Sequence, residues 1–423
     1  MRNRSIEELN LAKVRQHFPR PFINDVEAEV RSQLDRLKEG VRPGMSVAIT
    51  AGSRGIRDIA LILRTTVRYL RELGADPFIF SAMGSHGGGT APGQTNLLQH
   101  LGLTEETVEA PFRITSESVS LGASKSGHTL YADAEAARAE AILVVNRIKP
   151  HTAFRDRLAS GLYKMLTVGM GKVPGARQVH QLGSEGIYPA IIELGRMALD
   201  RLPVIGGLAV IENSFDETAG IEALLPGEIE AGEQRLLKYA WELLPGLPLK
   251  ELDLLIIDEI GKNFSGTGMD TNVVGRWRDI PIPGPIYPRI GRIVVLRLSK
   301  ASEGNANGLG LADFTTKKLV ASIDWQVTLT NVRTTGFWGR AFCPPFPGND
   351  DQAIHWALES LTPKTDYPLT IARIKNTLHL EELWLNEAAL AQAQGCEQVG
   401  PFAPLSFDRD GNLIDSETRL YRH

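Results

Sequence analysis

Apolar and polar positions along the first half of the chain follow a repeating strand–turn–helix order. Met45–Thr50 (MSVAIT) is a short apolar run that ends in a Gly/Ser/Arg turn, Ala51–Ile56. From Asp58 to Leu73 apolar residues recur at helical spacing, at Ile59, Leu61, Ile62, Leu63, Val67 and Leu70, and Gly74 supplies a C-terminal stop. Asp76–Met83 reads as the next strand and runs into Gly84-Ser85-His86-Gly87-Gly88-Gly89, with a helix around Gln94–Leu101. Ala141–Val145 (AILVV) has the unbroken apolar character of a strand buried on both faces, and Ile205–Glu212 is a further strand. This rhythm predicts the α/β class, a parallel sheet wrapped by helices.

Helical patterning returns from Pro226 to Leu244 and is broken by Pro245-Gly246-Leu247-Pro248. A second α/β unit begins at Asp253–Asp258 (DLLIID) and leads into Glu259–Arg276. It continues through a strand at Ile293–Leu298 and a mainly helical Leu311–Thr328, with the Pro-rich Ile280–Pro288 as a loop or an edge. A chain of 423 residues exceeds one ordinary core. The expectation is therefore two α/β domains, 1–245 and 246–423, with the active site in the cleft between them. The segment after Pro401 is a candidate to pack back on the first domain.

Composition narrows the partners. Apolar residues at 43% and charged residues at 23% are ordinary globular values, and a net charge of −4 with no basic run leaves no nucleic-acid footprint. Two cysteines, Cys343 and Cys396, build neither a disulfide framework nor a thiolate metal cage. Met1–Asn10 lacks the apolar core of a signal peptide, and no stretch approaches the ~18 apolar residues of a membrane span. These features predict a cytoplasmic enzyme with no membrane partner.

In open α/β sheets ligands bind beyond the carboxyl ends of the strands. The loops Gly52–Arg54, Gly84–Gly89, Asn146–His151 and Gly261–Asp270 all leave predicted strand ends and are polar, which suggests one shared cleft. In the second loop, the amides of Gly87 and Gly88 can approach an anion closely beside Ser85 and His86. His151, held by Pro150, suits proton transfer near neutrality, or is a surface histidine after a turn. Lys164, in a mostly apolar setting, is either a nucleophile of lowered pKa or a lysine that snorkels to water. His180 can ligate a metal or sit on a helix surface; no second histidine at i+4 and no nearby cysteine supports a protein-built zinc site. Ser53 and Arg54 can hold a carboxylate, and Lys262 in the later loop can complete the cleft from its far side.

Taken together, Ser85-His86, Lys149-Pro150-His151, Ser160-Gly161-Leu162-Tyr163-Lys164 and His180 sixteen residues further on resemble the lactate racemase family, the nickel-pincer-nucleotide-dependent 2-hydroxyacid racemases and epimerases. The resemblance implies a nicotinic-acid-derived nucleotide whose own sulfur groups hold nickel, which explains a metal enzyme without a cysteine cluster. It further implies that Lys164 tethers the cofactor, that His180 ligates nickel, and that His86 and His151 are the acid/base pair. Arg54, with Ser53 and Lys262, would hold the substrate; Ser85, Gly87 and Gly88 would lie near the nucleotide phosphate or the substrate. Hydride would pass reversibly between C2 of a 2-hydroxy acid and the cofactor through a 2-keto intermediate, after cofactor-maturation enzymes had supplied the nucleotide.

Two departures fall where the substrate would bind. The segment His151–Lys164 (HTAFRDRLASGLYK) is longer than in lactate-type members and carries Arg155, Asp156 and Arg157. The first loop reads Ala51-Gly52-Ser53-Arg54-Gly55 where those members usually show an acidic residue and Thr-Arg-Pro. Both point away from lactate and toward a larger 2-hydroxy acid, such as a sugar acid or a dicarboxylate. The competing readings are a nicotinamide-dependent 2-hydroxyacid dehydrogenase, for which the chain lacks the strand–GxGxxG–helix unit it would need, and a non-catalytic nucleotide- or anion-binding protein.

Overall fold

The computed structural model describes residues 9–153, 155–278, 280, 282, 285–361 and 368–414. Among these the strands are β1 (Asn10–Gln16), β2 (Ser46–Ala51), β3 (Asp76–Ser81), β4 (Ser118–Ala123), β5 (Thr129–Asp133), β6 (Ala141–Arg147), β7 (Val204–Glu212) and β8 (Thr218–Leu224). They continue with β9 (Glu251–Ile260), β10 (Arg289–Leu298), β11 (Ile371–Ile374), β12 (Glu382–Leu385), β13 (Cys396–Gln398) and β14 (Ala403–Pro404). The described residues divide into two compact α/β units: Pro19 to Leu244 in one, and those up to Phe18 together with those from Pro245 onward in the other.

In the unit from Pro19 to Leu244 a five-stranded sheet runs in the order β3-β2-β6-β7-β8. Its first four strands are mutually parallel, and β8 returns antiparallel to β7. The helix Ile59–Glu72 lays Ile59, Ile62, Leu63, Val67 and Leu70 into the same core as Val47, Ile49 and Leu143. Burial on both faces is why β2 and β6 read as continuous apolar runs rather than alternating ones. The chain passes from β2 to β3 on one side of β2, whereas β6 lies on the other, so the strand order reverses between β2 and β6. Their ladder stops at Ile49–Leu143. Beyond it the Thr50 hydroxyl bridges the gap, donating to the Val145 carbonyl (2.9 Å) and accepting from its N–H (2.8 Å). Strands that part at a reversal point leave a crevice at their carboxyl ends. The loops that follow β2, β3 and β6 all emerge at this end.

The other unit holds a seven-stranded sheet, β10-β9-β11-β12-β1-β13 with β14 beside β1. β10, β9 and β11 are parallel, and the remaining pairs are antiparallel. A boundary at 245 alone assigns the leading residues to the N-terminal half; instead β1 pairs with β12 and buries Leu11 and Val14 in the cores of the C-terminal half. The described part of the segment after Pro401 lies in this same unit, through β14 and an Asp351 N–H bond to the Gly411 carbonyl (3.0 Å). Residues 415–423 fall outside the described residues, as does part of the expected loop Ile280–Pro288.

Leu311–Thr328 is helical in pieces rather than as one helix. A 3₁₀ turn Leu309–Leu311 gives way to extended chain at Phe314, a short helix Lys317–Ala321 and a second helix beginning at Trp325. Buried Thr315 and Thr316 donate their hydroxyls to the β10 carbonyls of Val295 and Leu296, both at 2.8 Å, and Asp324 caps the following helix. Short polar side chains that bond backbone offer an alternative to the helix, and here they redirect the chain.

Candidate active site

The first two loops are tied to each other and to the core. Ser53 Oγ is hydrogen-bonded to Nδ1 of His86, an exposed residue. The Ser53–Arg54 turn is anchored behind by Glu212, which accepts from the Arg57 N–H (2.7 Å) and pairs with Arg147 at the end of β6. In the second loop Gly87 has φ +62°, and a Cβ there would lie 2.7 Å from the Gly93 carbonyl group, so only glycine makes the turn. Ser85 is half-buried and Gly88 exposed beside it. Gln94 Nε2 donates to the carbonyls of Gly84 (3.1 Å) and His86 (3.3 Å), holding the loop from inside.

Gln94 is itself held by a buried network. Its Oε1 accepts from Ser81 Oγ (2.6 Å), and Lys172 Nζ donates to the Ser81 carbonyl (2.6 Å) and hydroxyl (2.8 Å) while pairing with Asp133 at 2.7 Å. Lys172 is 1% exposed and adopts φ +51°, a left-handed backbone that costs a lysine roughly 1–2 kcal/mol. The ion pair and three acceptors, the third being Gln94 Oε1 at 3.3 Å, hold it there.

The third loop brings His151 to Lys164. Lys149 and Ser160 exchange backbone hydrogen bonds (2.8 and 3.1 Å), and Asn146 Nδ2 donates to the Gly161 carbonyl at 2.9 Å, which closes the excursion between them. His151 Nδ1 accepts the Ala153 N–H (3.0 Å), and its Nε2 stands 2.8 Å from Lys164 Nζ. Burial, and then the neighbouring Arg54 guanidinium, push the Lys164 pKa down to about 8.

Glu233 organises the turn that carries Lys164. It sits on the helix Ile229–Glu242 and accepts the Tyr163 N–H at 2.9 Å. A Cβ on Gly161 would lie 2.1 Å from Glu233 Oε1, which is why the Ser-Gly-x-x-Lys pattern needs its glycine. Glu233 is fully buried, its Oε1 finds no hydrogen-bond partner among the described residues, and burial pushes its pKa up to about 7.

After Lys164 the helix widens into a π turn, Met165–Gly169, a form frequent at functional sites, and the helix Lys172–His180 follows. His180 is its last residue. Its Nδ1 is buried with no hydrogen-bond partner among the described residues. Burial and then the Lys164 charge push its pKa down to about 4, so the imidazole is neutral at physiological pH with lone-pair density to offer. Among the described residues no group of three or more His, Cys, Asp or Glu side chains is placed to hold a metal by itself.

Of the residues singled out from the sequence, Ser53 meets His86, His151 meets Lys164, and the charges of Arg54 and Lys164 reach Lys164 and His180 respectively. Lys262 belongs to the other unit, where its Nζ donates to Asn331 Oδ1 (2.9 Å) and the Gly266 carbonyl (2.5 Å). An open cavity of about 730 Å³ lies among Arg157, Tyr188, Arg196 and Glu230; of the residues singled out from the sequence it includes Arg157 alone, and Arg196 and Glu230 there pair at 2.7 Å. Sequence reasoning missed Glu233, Gln94, Asp133 and Lys172. Glu233 had a usable signal: a carboxylate on the helix face that also carries Ile229, Leu236, Leu237 and Ala240. Nothing in the sequence pairs Lys172 with Asp133.

The fold defines a two-unit α/β protein with a polar centre at the carboxyl end of one parallel sheet. It is similar to the structure of the lactate racemase apoprotein from Thermoanaerobacterium thermosaccharolyticum, with a TM-score of 0.53 over 88% of this chain and 94% of that one at 13% identity. At that identity the likeness is one of fold. No protein-family model and no curated protein matches the chain. Among the described residues no helix is long and apolar enough to cross a membrane.

Proposed function

We propose that the chain is a racemase or epimerase of a 2-hydroxy acid that works with a nickel-pincer nucleotide. The observation that carries this reading is His180: a neutral imidazole with a buried, unpartnered nitrogen beside a lysine of lowered pKa. A donor set of one histidine suits a metal whose other ligands come with the cofactor, and the lysine suits a covalent tether. When bound, the nucleotide would supply nickel and a hydride acceptor for C2 of the substrate.

The chain's own residues provide the rest. Lys164 anchors the nucleotide, and His180 gives a nitrogen lone pair to nickel. Arg54 holds the substrate carboxylate, so that C2 keeps its place while its configuration is lost. With Nδ1 engaged by Ser53, His86 exchanges the 2-hydroxyl proton through Nε2. His151, on a different loop, serves the opposite enantiomer, and two imidazoles suit reversible inversion better than one. Arg155 and Arg157 in the long third loop favour a substrate larger than lactate, a sugar acid or a dicarboxylate.

The test is co-expression with cofactor-making enzymes, followed by intact mass, metal analysis and a panel of 2-hydroxy acids scored for C2 inversion. A covalent adduct on Lys164 with about one nickel per chain and inversion of at least one acid is the expected result. Neither adduct nor nickel in fully matured protein overturns it.

A further inference from the structure

We infer that Tyr163, the residue before Lys164, is a positioning residue: Glu230 and Glu233 hold its two ends, and that grip sets where the Lys164 side chain starts and so where it meets His151. The inference goes beyond the proposed function and rests on it only for the reaction that this placement serves.

Every polar group of Tyr163 is engaged. Its N–H donates to Glu233 Oε2 (2.9 Å), and its hydroxyl donates to Glu230 Oε2 (3.0 Å). Both carboxylates stand on the helix Ile229–Glu242, at an i, i+3 interval that puts them on one face. The Tyr163 carbonyl accepts from the Thr167 hydroxyl (2.9 Å), which ties it to the π turn on the far side of Lys164. The ring is buried against the helix Gly183–Arg201, so close that a Cβ on Gly195 would lie 2.3 Å from Cδ1. Backbone, hydroxyl and ring are thus fixed together.

The outer end of the grip is anchored in turn. Arg196, on the same helix as Gly195, gives Glu230 two hydrogen bonds (2.7 and 2.8 Å). That pairing holds the Glu230 carboxyl below its usual range, while burial and then the Glu230 charge push the Tyr163 phenol up. The phenol therefore keeps its proton and donates it to a carboxylate, a charge-assisted bond roughly twice as strong as a neutral one.

Placement matters because Lys164 Nζ meets His151 Nε2 at 2.8 Å, and the two residues come from opposite ends of the third loop. A slack turn moves the amine and takes from His151 the neighbour that fixes its ring. Arg54 stands on the β2 loop, outside the grip, so the hold on the substrate carboxylate is unchanged. A displacement of about 1 Å at a reacting group costs on the order of a hundredfold in rate. The loss then falls on kcat rather than on KM.

The experiment uses the full chain with isotope-labelled lysine side chains, as wild type, Tyr163→Phe, Glu230→Ala, the two combined, and Glu230→Gln. Tyr163→Phe keeps the ring on Gly195 and removes only the hydroxyl. In unloaded protein the Lys164 resonance titrates near 8 in wild type; in Tyr163→Phe and Glu230→Ala it is expected to move up as water reaches the amine. Glu230→Gln still offers an oxygen to the phenol and should leave it in place. In matured protein Tyr163→Phe should lower kcat for C2 inversion about tenfold, with KM within about twofold. The combined variant should match the larger single loss rather than the product, since both changes remove one bond. Should Tyr163→Phe fold poorly, Glu230→Ala removes the same bond from a side chain at the rim. A lower urea midpoint with the Lys164 titration unmoved in both variants is the result of a merely structural role, and it overturns the inference. Matured wild type with neither adduct nor inversion overturns the proposed function, whereas a Lys164 titration that moves in the variants supports the inference by itself. Wild type that inverts, beside variants equal to it in titration and kcat, overturns the inference alone.

Discussion

Lys164 ends the short helix before the π turn and Lys172 begins the helix after it, and their surroundings differ. Lys172 is met by a carboxylate at 2.7 Å and by the Ser81 carbonyl and hydroxyl. Lys164 is met by an imidazole and faces a guanidinium. Burial lowers the pKa of both, but at Lys172 the Asp133 carboxylate works against that shift, whereas at Lys164 the Arg54 guanidinium adds to it. Two enclosed lysines thus serve opposite ends. One holds a loop in place, and the other carries the proposed chemistry.

Variants can break this contrast. The largest effect is expected at Lys164→Ala: in matured protein the adduct disappears and C2 inversion falls by about a thousandfold or more, while thermal unfolding shows no loss of stability because an unfavourable enclosed amine has gone. Lys172→Met should show the opposite balance. It leaves Asp133 buried and uncompensated, with a cost of about 3–5 kcal/mol in urea unfolding, and adding Asp133→Asn should recover part of it. If Lys172→Met is neutral, its network is not what holds the second loop.

Gln94→Leu comes next. It frees the Gly84 and His86 carbonyls from their inner anchor, and inversion should fall about tenfold or more with a smaller change in KM and little change in the amount of Lys164 adduct in matured protein. Equal losses in both assays would point to general unfolding rather than to His86.

The smallest effect is the pH dependence of stability at Glu233. Its folded pKa, about 7, is raised above the ordinary 4.5, so between those values the folded state binds more protons than the unfolded one. Its contribution is therefore favourable below about 4.5 and lost as pH rises through 7. Glu233→Gln should remove that decline in a series of thermal melts. His180 has the opposite sign over about 4 to 6.5, its depressed pKa making stability rise with pH, and His180→Gln should remove that rise. Identical slopes in wild type and both variants would show that neither group titrates differently in the folded chain.

Much of the parallel sheet from β2 to β7 was legible because strands buried on both faces read as unbroken apolar runs such as AILVV, and because Gly74 and the Pro245–Pro248 break mark ends of helices. Strand β1 was not. Its pairing with β12 joins residues more than 360 positions apart, and no local pattern specifies that register. The helical character of Leu311–Thr328 was legible too, but not its interruption, because Thr315 and Thr316 find acceptors on β10 that exist only once the sheet has formed.

The candidate chemistry divides along the same line. The sequence alone determined which residues stand at the strand exits, His86, His151 and Arg54 among them, and the interval from Lys164 to His180, since these follow from chain order and turn chemistry. Only the tertiary structure decided that His151 meets Lys164, that Lys164 neighbours Arg54, and that Glu233 requires Gly161. Those properties depend on desolvation and on hydrogen bonds between segments far apart in the chain, and both come into being only when the segments meet.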